Sequence, residues 1–256
     1  MGKYNSSIYR VCPLMKVIET DYSAFLNFLS LVNIPPLDRA TVFRYDGENP
    51  NNTEMQLKPT KKHLLSLIDY LATKEHKRIS ATSENRKDLF FGTKKKREEL
   101  QTKAKNELED NYDKLCAAGG CWYVFEGFTN PDIFIEGDDY VIICEGKWTE
   151  PHITTTTTYL SSDGEYRNQM IRHIQGALNY TNKKVYAFYI VDANCGYTDD
   201  LTTESLQRQL ECETIQPSKE EKQKILGSFY GFTTWQEIKN KIPQCIFKEK
   251  SEIIVD

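Results

Sequence analysis

The pattern that most limits the fold of this chain lies between residues 132 and 148. Two apolar stretches of strand length, residues 133–136 and 140–148, are separated by Gly137-Asp138-Asp139. Apolar runs on either side of a short turn of Gly and Asp predict an antiparallel β-hairpin. If the turn occupies residues 137–140, residue 136 faces residue 141 and residue 132 faces residue 145, whereas a shorter turn makes them diagonal neighbours.

The hydrophobic periodicity on either side of this hairpin predicts helices and two more strands. Apolar residues recur at helical spacing over residues 21–32, 60–75, 94–115 and 165–180, and from about residue 233. Strands are predicted over residues 121–126 and 184–192, and residues 77–93 are predicted to be a connection. The order helix, strand, hairpin, helix, strand indicates an α/β fold with a mixed β-sheet core flanked by helices.

We divide the chain between residues 92 and 93. Residues 1–92 are predicted to be an N-terminal helical region, which forms either a separate lobe or a helical cover. Residues 93–256 are predicted to form the α/β core together with C-terminal helices.

Three charged side chains converge in the predicted hairpin. Asp132 precedes the first strand, while Glu145 and Lys147 lie two positions apart and share one face of the second. Carboxylates that face each other across a strand pair, within roughly 5–8 Å, repel. Mg²⁺ removes this repulsion, because it is held by one or two carboxylates together with substrate phosphate oxygens. A lysine beside the metal can orient an attacking water, so the pattern predicts phosphodiester hydrolysis. The alternative is an exposed hairpin with an ordinary Glu–Lys contact.

Pro131-Asp132 is followed, thirteen positions after Asp132, by Glu145-Gly146-Lys147. This motif resembles the PD-(D/E)XK nuclease superfamily. The resemblance covers about residues 94–192 and includes the order helix, three-strand meander, helix and strand. It implies a restriction-endonuclease-like core in which Asp132 and Glu145 bind Mg²⁺, or Mn²⁺ as a substitute, and Lys147 assists the attacking water. The backbone carbonyl of Gly146 is implied as a further metal ligand.

The resemblance also implies accessory residues on the neighbouring helices. Glu107 is the candidate on the helix before the first strand, and Gln169 and Gln175 are the candidates on the helix after Lys147. Arg172 is three residues from Gln175 and shares its helix surface, where it can meet a phosphate. For Glu107 and Arg172 the alternative is an ordinary solvent-exposed side chain.

The net charge of −4 conceals an uneven distribution along the chain. Residues 58–116 carry 15 basic and 10 acidic residues, whereas residues 117–256 carry 13 basic and 21 acidic ones. The run Lys94-Lys95-Lys96-Arg97 opens a predicted helix in the basic stretch, and we predict that it contacts nucleic-acid phosphates. The alternative is a solvated helix face.

These features predict a Mg²⁺-dependent endonuclease that cleaves DNA in restriction, phage defence or DNA repair. RNA is left open as a substrate. One alternative is a non-catalytic nucleic-acid-binding module on the same fold, and another is an interaction protein whose hairpin acids are structural. Cleavage of both DNA strands needs two active sites, which favours a homodimer.

The seven cysteines are an odd number and no apolar run reaches the ~18 residues of a membrane span, so we expect a reduced, cytoplasmic protein without a membrane partner.

Overall fold

A computed structural model of the chain describes residues 6–45, 54–73, 83–117, 120–150, 155–156 and 167–253. The larger of the two sheets in these residues contains five strands: β1 (Val42–Tyr45), β2 (Ile133–Glu136), β3 (Tyr140–Gly146), β6 (Lys184–Val191) and β7 (Phe229–Thr234). The smaller sheet is a pair of short strands, β4 (Thr155–Thr156) and β5 (Arg167–Asn168). The order in the larger sheet is β1-β2-β3-β6-β7. β2 is antiparallel to β1 and β3, whereas β3, β6 and β7 run parallel. The prediction of a mixed sheet is confirmed.

The hairpin of β2 and β3 has the register that the sequence predicts. Glu136 pairs with Val141, which places Asp132 beside the end of β3. The Gly137 N–H donates to the Tyr140 carbonyl (3.0 Å) and closes the turn. A Cβ atom at Gly137 would overlap the ring of Tyr140, so this turn requires glycine.

Helices pack on both faces of the larger sheet and form a third layer beside it. In chain order, the α-helices of the described residues are α1 (Cys12–Thr20), α2 (Tyr22–Ser30), α3 (Lys61–Thr73), α4 (Glu84–Phe91), α5 (Lys94–Asn111), α6 (Gln169–Tyr180), α7 (Thr203–Cys212), α8 (Lys219–Ser228) and α9 (Trp235–Lys241). One core contains α1, α2 and α9 against one sheet face, and a second contains α6, α7 and α8 against the other. A third core joins α3, α4 and α5.

The side chains of β3 alternate between the two faces of the sheet. Ile142 and Cys144 pack with α1 and α2, whereas Val141 and Ile143 pack with α6. Burial on both faces explains why the sequence of β3 is a continuous apolar run. The strand predicted over residues 184–192 is β6, which lies between β3 and β7.

The predicted helix over residues 94–115 is confirmed as α5, although the helix ends at Asn111. The apolar stripe predicted for this helix is Leu100, Ala104, Leu108 and Leu115. All four are buried in the core that α5 shares with α3 and α4, although Leu115 follows the end of the helix. Among the helices of the described ranges, none combines the length and the apolar character needed to cross a membrane.

The strand predicted over residues 121–126 is wrong, because these residues form turns. Their carbonyls are occupied by the Arg86 side chain, which donates to Trp122 O (2.7 Å), Val124 O (2.8 Å) and Cys121 O (3.1 Å). A backbone whose acceptors bind a side chain cannot use them in a strand ladder. The long-range contact with Arg86 therefore overrides the local β-propensity of this segment.

The N-terminal region, which is predicted to consist of helices and loops, also contributes a strand to the sheet. Residues 42–45 form β1, which pairs antiparallel with β2 along the edge of the sheet. The predicted connection at residues 77–93 is also wrong in part, because Glu84–Phe91 form α4, capped by Ser83; residues 77–82 lie outside the described residues. The helix predicted from residue 165 begins at Gln169, and residues 165–166 are outside the described ranges.

Candidate active site

The carboxyl end of β3 brings together the three residues predicted to be catalytic. Asp132 precedes β2, Glu145 and Gly146 end β3, and Lys147 follows directly. The Asp132 Oδ2 atom accepts a hydrogen bond from the Gly146 N–H (2.7 Å). The Lys147 ammonium donates to Glu145 Oε1 (2.6 Å). The hairpin register therefore produces a compact cluster from residues thirteen to fifteen positions apart.

Most of this cluster is removed from solvent. The Glu145 residue is 2% exposed and Lys147 is 8% exposed, while Asp132 is partly exposed. Packing behind the cluster is tight, since a Cβ atom at Gly146 would lie 3.1 Å from the Trp235 ring. The Trp235 indole N–H also donates to the Lys147 carbonyl (2.8 Å). The start of α9 thus supports the backbone that carries the catalytic candidates.

The three ionisable groups change one another's proton affinity. Burial and the nearby charge of Glu145 raise the pKa of Asp132 well above its usual value. Burial would also raise the pKa of Glu145, but Lys147 and the hydrogen bond with His173 outweigh it and lower that pKa. Burial would lower the pKa of Lys147, but Glu145 and Asp132 raise it. Two carboxyl groups thus share one ammonium. Lys147 and the Gly146 N–H lower the pKa of Asp132 by less than burial and Glu145 raise it.

The donor set of the cluster is suited to a hard divalent cation. Carboxylate oxygens from Asp132 and Glu145 are the ligands that Mg²⁺ prefers, and Mg²⁺ is usually held by one or two carboxylates with water and phosphate completing the shell. Within the described residues, no group of three or more His, Cys, Asp or Glu side chains is arranged to hold a metal. The pair fits an ion that takes its other ligands from water and substrate, provided that the Lys147 ammonium leaves Glu145 Oε1.

Glu54 is a further carboxylate near the site that the sequence pattern does not identify. After burial and Glu145, the charge of Glu54 also contributes to the raised pKa of Asp132. The Asn130 side-chain amide donates to Glu54 Oε2 (2.9 Å) and holds it beside the segment that leads to Asp132. Glu54 and Asp132 are far apart in the chain and lie in unrelated motifs, so only the tertiary fold relates them.

His173 is the second site residue that the motif does not identify. It is 1% exposed, and its Nε2 atom lies 2.9 Å from Glu145 Oε2. Its Nδ1 atom lies 2.8 Å from the Thr129 hydroxyl. A sequence signal exists, because His173 is a polar residue on the face of α6 that is otherwise apolar, between Met170 and Ile174.

Two of the predicted accessory residues, Glu107 and Arg172, contact groups other than Asp132 and Glu145. Glu107 accepts a hydrogen bond from the Trp122 indole (2.8 Å), and Arg172 contacts Glu126 (3.4 Å) and the Gly127 carbonyl (3.0 Å). Gln175 lines a cavity of about 610 Å³ between α6 and α8. Gln169 begins α6, and its buried Oε1 atom has no hydrogen-bond partner among the described residues.

The predicted basic run forms the first turn of α5. Lys94, Lys95 and Lys96 are exposed and Arg97 is partly buried. The Lys94 Nζ atom lies 4.0 Å from the Oε1 atom of Glu98 in the next turn. Cations at the amino end of a helix are opposed by its dipole, so an anion bound there would relieve an unfavourable interaction.

Comparison with known proteins does not assign the chain to a family. No model of a known protein family matches it. Neither the curated proteins nor the solved structures give a match. The resemblance to the PD-(D/E)XK superfamily therefore stays a prediction that rests on the motif and its placement.

Proposed function

We propose that this protein is a Mg²⁺-dependent nuclease that hydrolyses DNA phosphodiester bonds. The observation that carries the proposal is the convergence of Asp132, Glu145 and Lys147 at the end of an interior strand, where two carboxyl groups lie beside one ammonium. Two carboxylates that share one ammonium repel each other, and a bound cation would relieve that repulsion. Mg²⁺ prefers oxygen ligands such as these carboxylates, and it also assists the hydrolysis of phosphodiesters.

Each residue has a distinct part in this proposal. Bound Mg²⁺ supplies charge that polarises a phosphoryl oxygen and lowers the pKa of a coordinated water. Asp132 and Glu145 hold the ion, and the Gly146 carbonyl is an additional candidate ligand. Lys147, once displaced from Glu145, places its ammonium where it can hydrogen-bond the attacking water and stabilise the charge that develops on the phosphate.

DNA is the substrate that we favour, with RNA as an alternative. The first turn of α5, Lys94 to Arg97, would contact backbone phosphates, which positions a nucleic acid without reading its sequence. A role in restriction, phage defence or DNA repair is consistent with such a nuclease, and cutting both strands would need a homodimer or two successive binding events. Binding through these cations would weaken steeply as salt concentration rises.

A non-catalytic nucleic-acid-binding module is the second candidate function. It is favoured by one observation: both carboxylate oxygens of Glu145 already have protein partners, Lys147 and His173. While Lys147 and His173 both bond Glu145, its oxygens are less available to a metal. Binding of DNA without cleavage would support this function.

The test is a cleavage assay with supercoiled, linear and single-stranded DNA and with RNA, in Mg²⁺, Mn²⁺ or EDTA. We expect cleavage in Mg²⁺ and Mn²⁺, none in EDTA, and loss of cleavage in Lys147→Ala. The matched control is Lys183→Ala, because Lys183 also bonds a strand glutamate, Glu136 (2.7 Å), but at the opposite end of the hairpin. Cleavage that survives EDTA and Lys147→Ala would overturn the proposal.

A further inference from the structure

A buried histidine joins the two parts of the chain that carry the candidate metal ligands. His173 contacts Glu145 on β3 through Nε2 (2.9 Å) and Thr129 through Nδ1 (2.8 Å). Thr129 lies three residues before Asp132 in the chain. Because an ionised carboxylate only accepts hydrogen bonds, Nε2 donates to Glu145, and in a neutral imidazole Nδ1 then accepts from the Thr129 hydroxyl.

The Thr129 end of this connection is held rigidly by backbone contacts. Its N–H donates to the Leu57 carbonyl, and the Leu57 N–H donates to the Thr129 carbonyl, both at 2.9 Å. Leu57 in turn packs on α6, where a Cβ atom at Gly176 would lie 2.7 Å from Leu57 Cβ. The same helix therefore carries His173 and supports the segment that His173 contacts.

We infer that His173 is a positioning residue that sets the separation between the Asp132 and Glu145 carboxylates. This inference rests on the proposed function, since it concerns the same metal site. The imidazole orients one ligand directly and restrains the segment that leads into the other. Partners of this kind, which orient a metal ligand without touching the metal, typically change metal affinity or activity about 10–100-fold when removed.

The test compares Mn²⁺ binding to the metal-free full chain by isothermal titration calorimetry. We expect His173→Leu to bind Mn²⁺ about 100-fold more weakly and Thr129→Val about 10-fold more weakly than the wild type. His173→Gln should recover most of the loss, because its side-chain amide can still donate to Glu145. The control is Ile174→Ala, which removes a neighbouring buried side chain of α6 without removing a hydrogen bond.

A purely structural role for His173 gives a different pattern. In that case Ile174→Ala and His173→Leu would weaken Mn²⁺ binding in proportion to their loss of stability, and His173→Gln would recover nothing; that result overturns the inference. If His173→Leu does not fold, His173→Gln and Thr129→Val decide the question. In a cleavage assay, the positioning role predicts that His173→Leu needs more Mg²⁺ for half-maximal rate and regains activity at high Mg²⁺.

The inference and the proposed function can fail separately. If the wild type binds Mn²⁺ and all His173 and Thr129 variants bind it equally well, only the positioning role is overturned. If the wild type binds Mn²⁺ with the expected order of variants but cleaves no nucleic acid, only the nuclease function is overturned. If the wild type binds no divalent cation, both are overturned.

Discussion

Two buried charge clusters lie beside α6, and they differ in how their acids are compensated. The balanced cluster consists of Glu126, Glu213, Arg167, Arg172 and His63. The acidic cluster consists of Asp132, Glu145, Lys147 and His173. In the balanced cluster two carboxylates meet two guanidinium groups, whereas in the acidic cluster two carboxylates meet one ammonium.

The difference is clearest for Glu126 and Asp132. The other two acids do not follow it, because Lys147 and His173 lower the pKa of Glu145 despite burial, and burial raises the pKa of Glu213 despite Arg167. Burial would raise the pKa of Glu126, but Arg167 and His63 outweigh it and hold that pKa far below its usual value. Asp132 is partly exposed, yet its pKa is raised, because burial of its carboxyl and the charge of Glu145 outweigh Lys147 and the Gly146 N–H. Burial of an acid is therefore not itself a sign of function. An acid held beside a second carboxylate is the stronger sign, since such repulsion persists where a ligand relieves it.

The largest expected effect is on activity. Glu145→Gln should lower Mg²⁺-dependent cleavage by about 10³-fold, because it removes a metal ligand and with it charge stabilisation in the transition state. Initial rates on plasmid DNA measure this. The matched control is Glu136→Gln on the paired strand, which removes a carboxylate bonded to Lys183 and should leave the rate unchanged. An equal loss of cleavage rate in both variants would mean that Glu145 has no specific role in catalysis.

The balanced cluster should show its effect in stability instead. Glu126→Gln leaves Arg167 without its closest partner in a buried site, and breaking such a pair costs about 3–5 kcal/mol of the free energy of unfolding. Urea denaturation with and without Mg²⁺ measures it. The loss should be the same in both conditions, and a loss under 1 kcal/mol would contradict the structural role.

In the metal-free protein, Asp132→Asn should raise the free energy of unfolding, whereas Glu126→Gln should lower it. The folded-state pKa of Asp132 is raised above its unfolded value, so stability falls as pH rises from the unfolded pKa through the folded pKa and stays lower above it. The asparagine keeps an oxygen that can accept from the Gly146 N–H and removes the charge, so metal-free stability near pH 8 should rise by about 1 kcal/mol. Stabilisation by added Mg²⁺ should disappear. A variant that is less stable without metal would contradict the strain that we assign to Asp132.

The smallest expected effect is a pH dependence of metal stabilisation. Mg²⁺ binds the ionised form of Asp132, and the raised pKa means that protons still compete above the usual range for an aspartate. The increase in melting temperature caused by Mg²⁺ should therefore grow as pH rises from about 5 to 8. In Asp132→Asn, any remaining shift should not depend on pH in this way, and a wild-type shift that falls with rising pH would contradict the assignment.

The local pattern around the hairpin was sufficient to predict the core of the site. Turn chemistry and strand alternation determine which residues face each other, so Glu136 opposite Val141 follows from residues close together in the chain. Asp132, Glu145 and Lys147 converge for the same reason. The stripe of α5 and the start of α9 after Thr234 were predictable because periodicity and capping are also local properties.

The parts that the sequence did not predict depend on contacts between distant residues. Arg86 decides the conformation of residues 121–126, and β1 becomes a strand because the edge of β2 is available to it. Glu54 reaches the site from a separate segment, and nothing in its neighbours indicates that. For His173, the sequence predicts a buried hydrogen-bond partner, because a histidine on an apolar helix face needs one. It does not identify Glu145 as that partner.

The central claim is that the acidic cluster binds a divalent cation. The most direct measurement is an anomalous difference map from a crystal of the protein soaked in Mn²⁺. We predict one strong peak about 2.0–2.3 Å from carboxylate oxygens of both Asp132 and Glu145, with the Lys147 ammonium moved away from Glu145 Oε1. A map with no peak there, and with Lys147 still bonded to Glu145 at saturating Mn²⁺, would contradict the account.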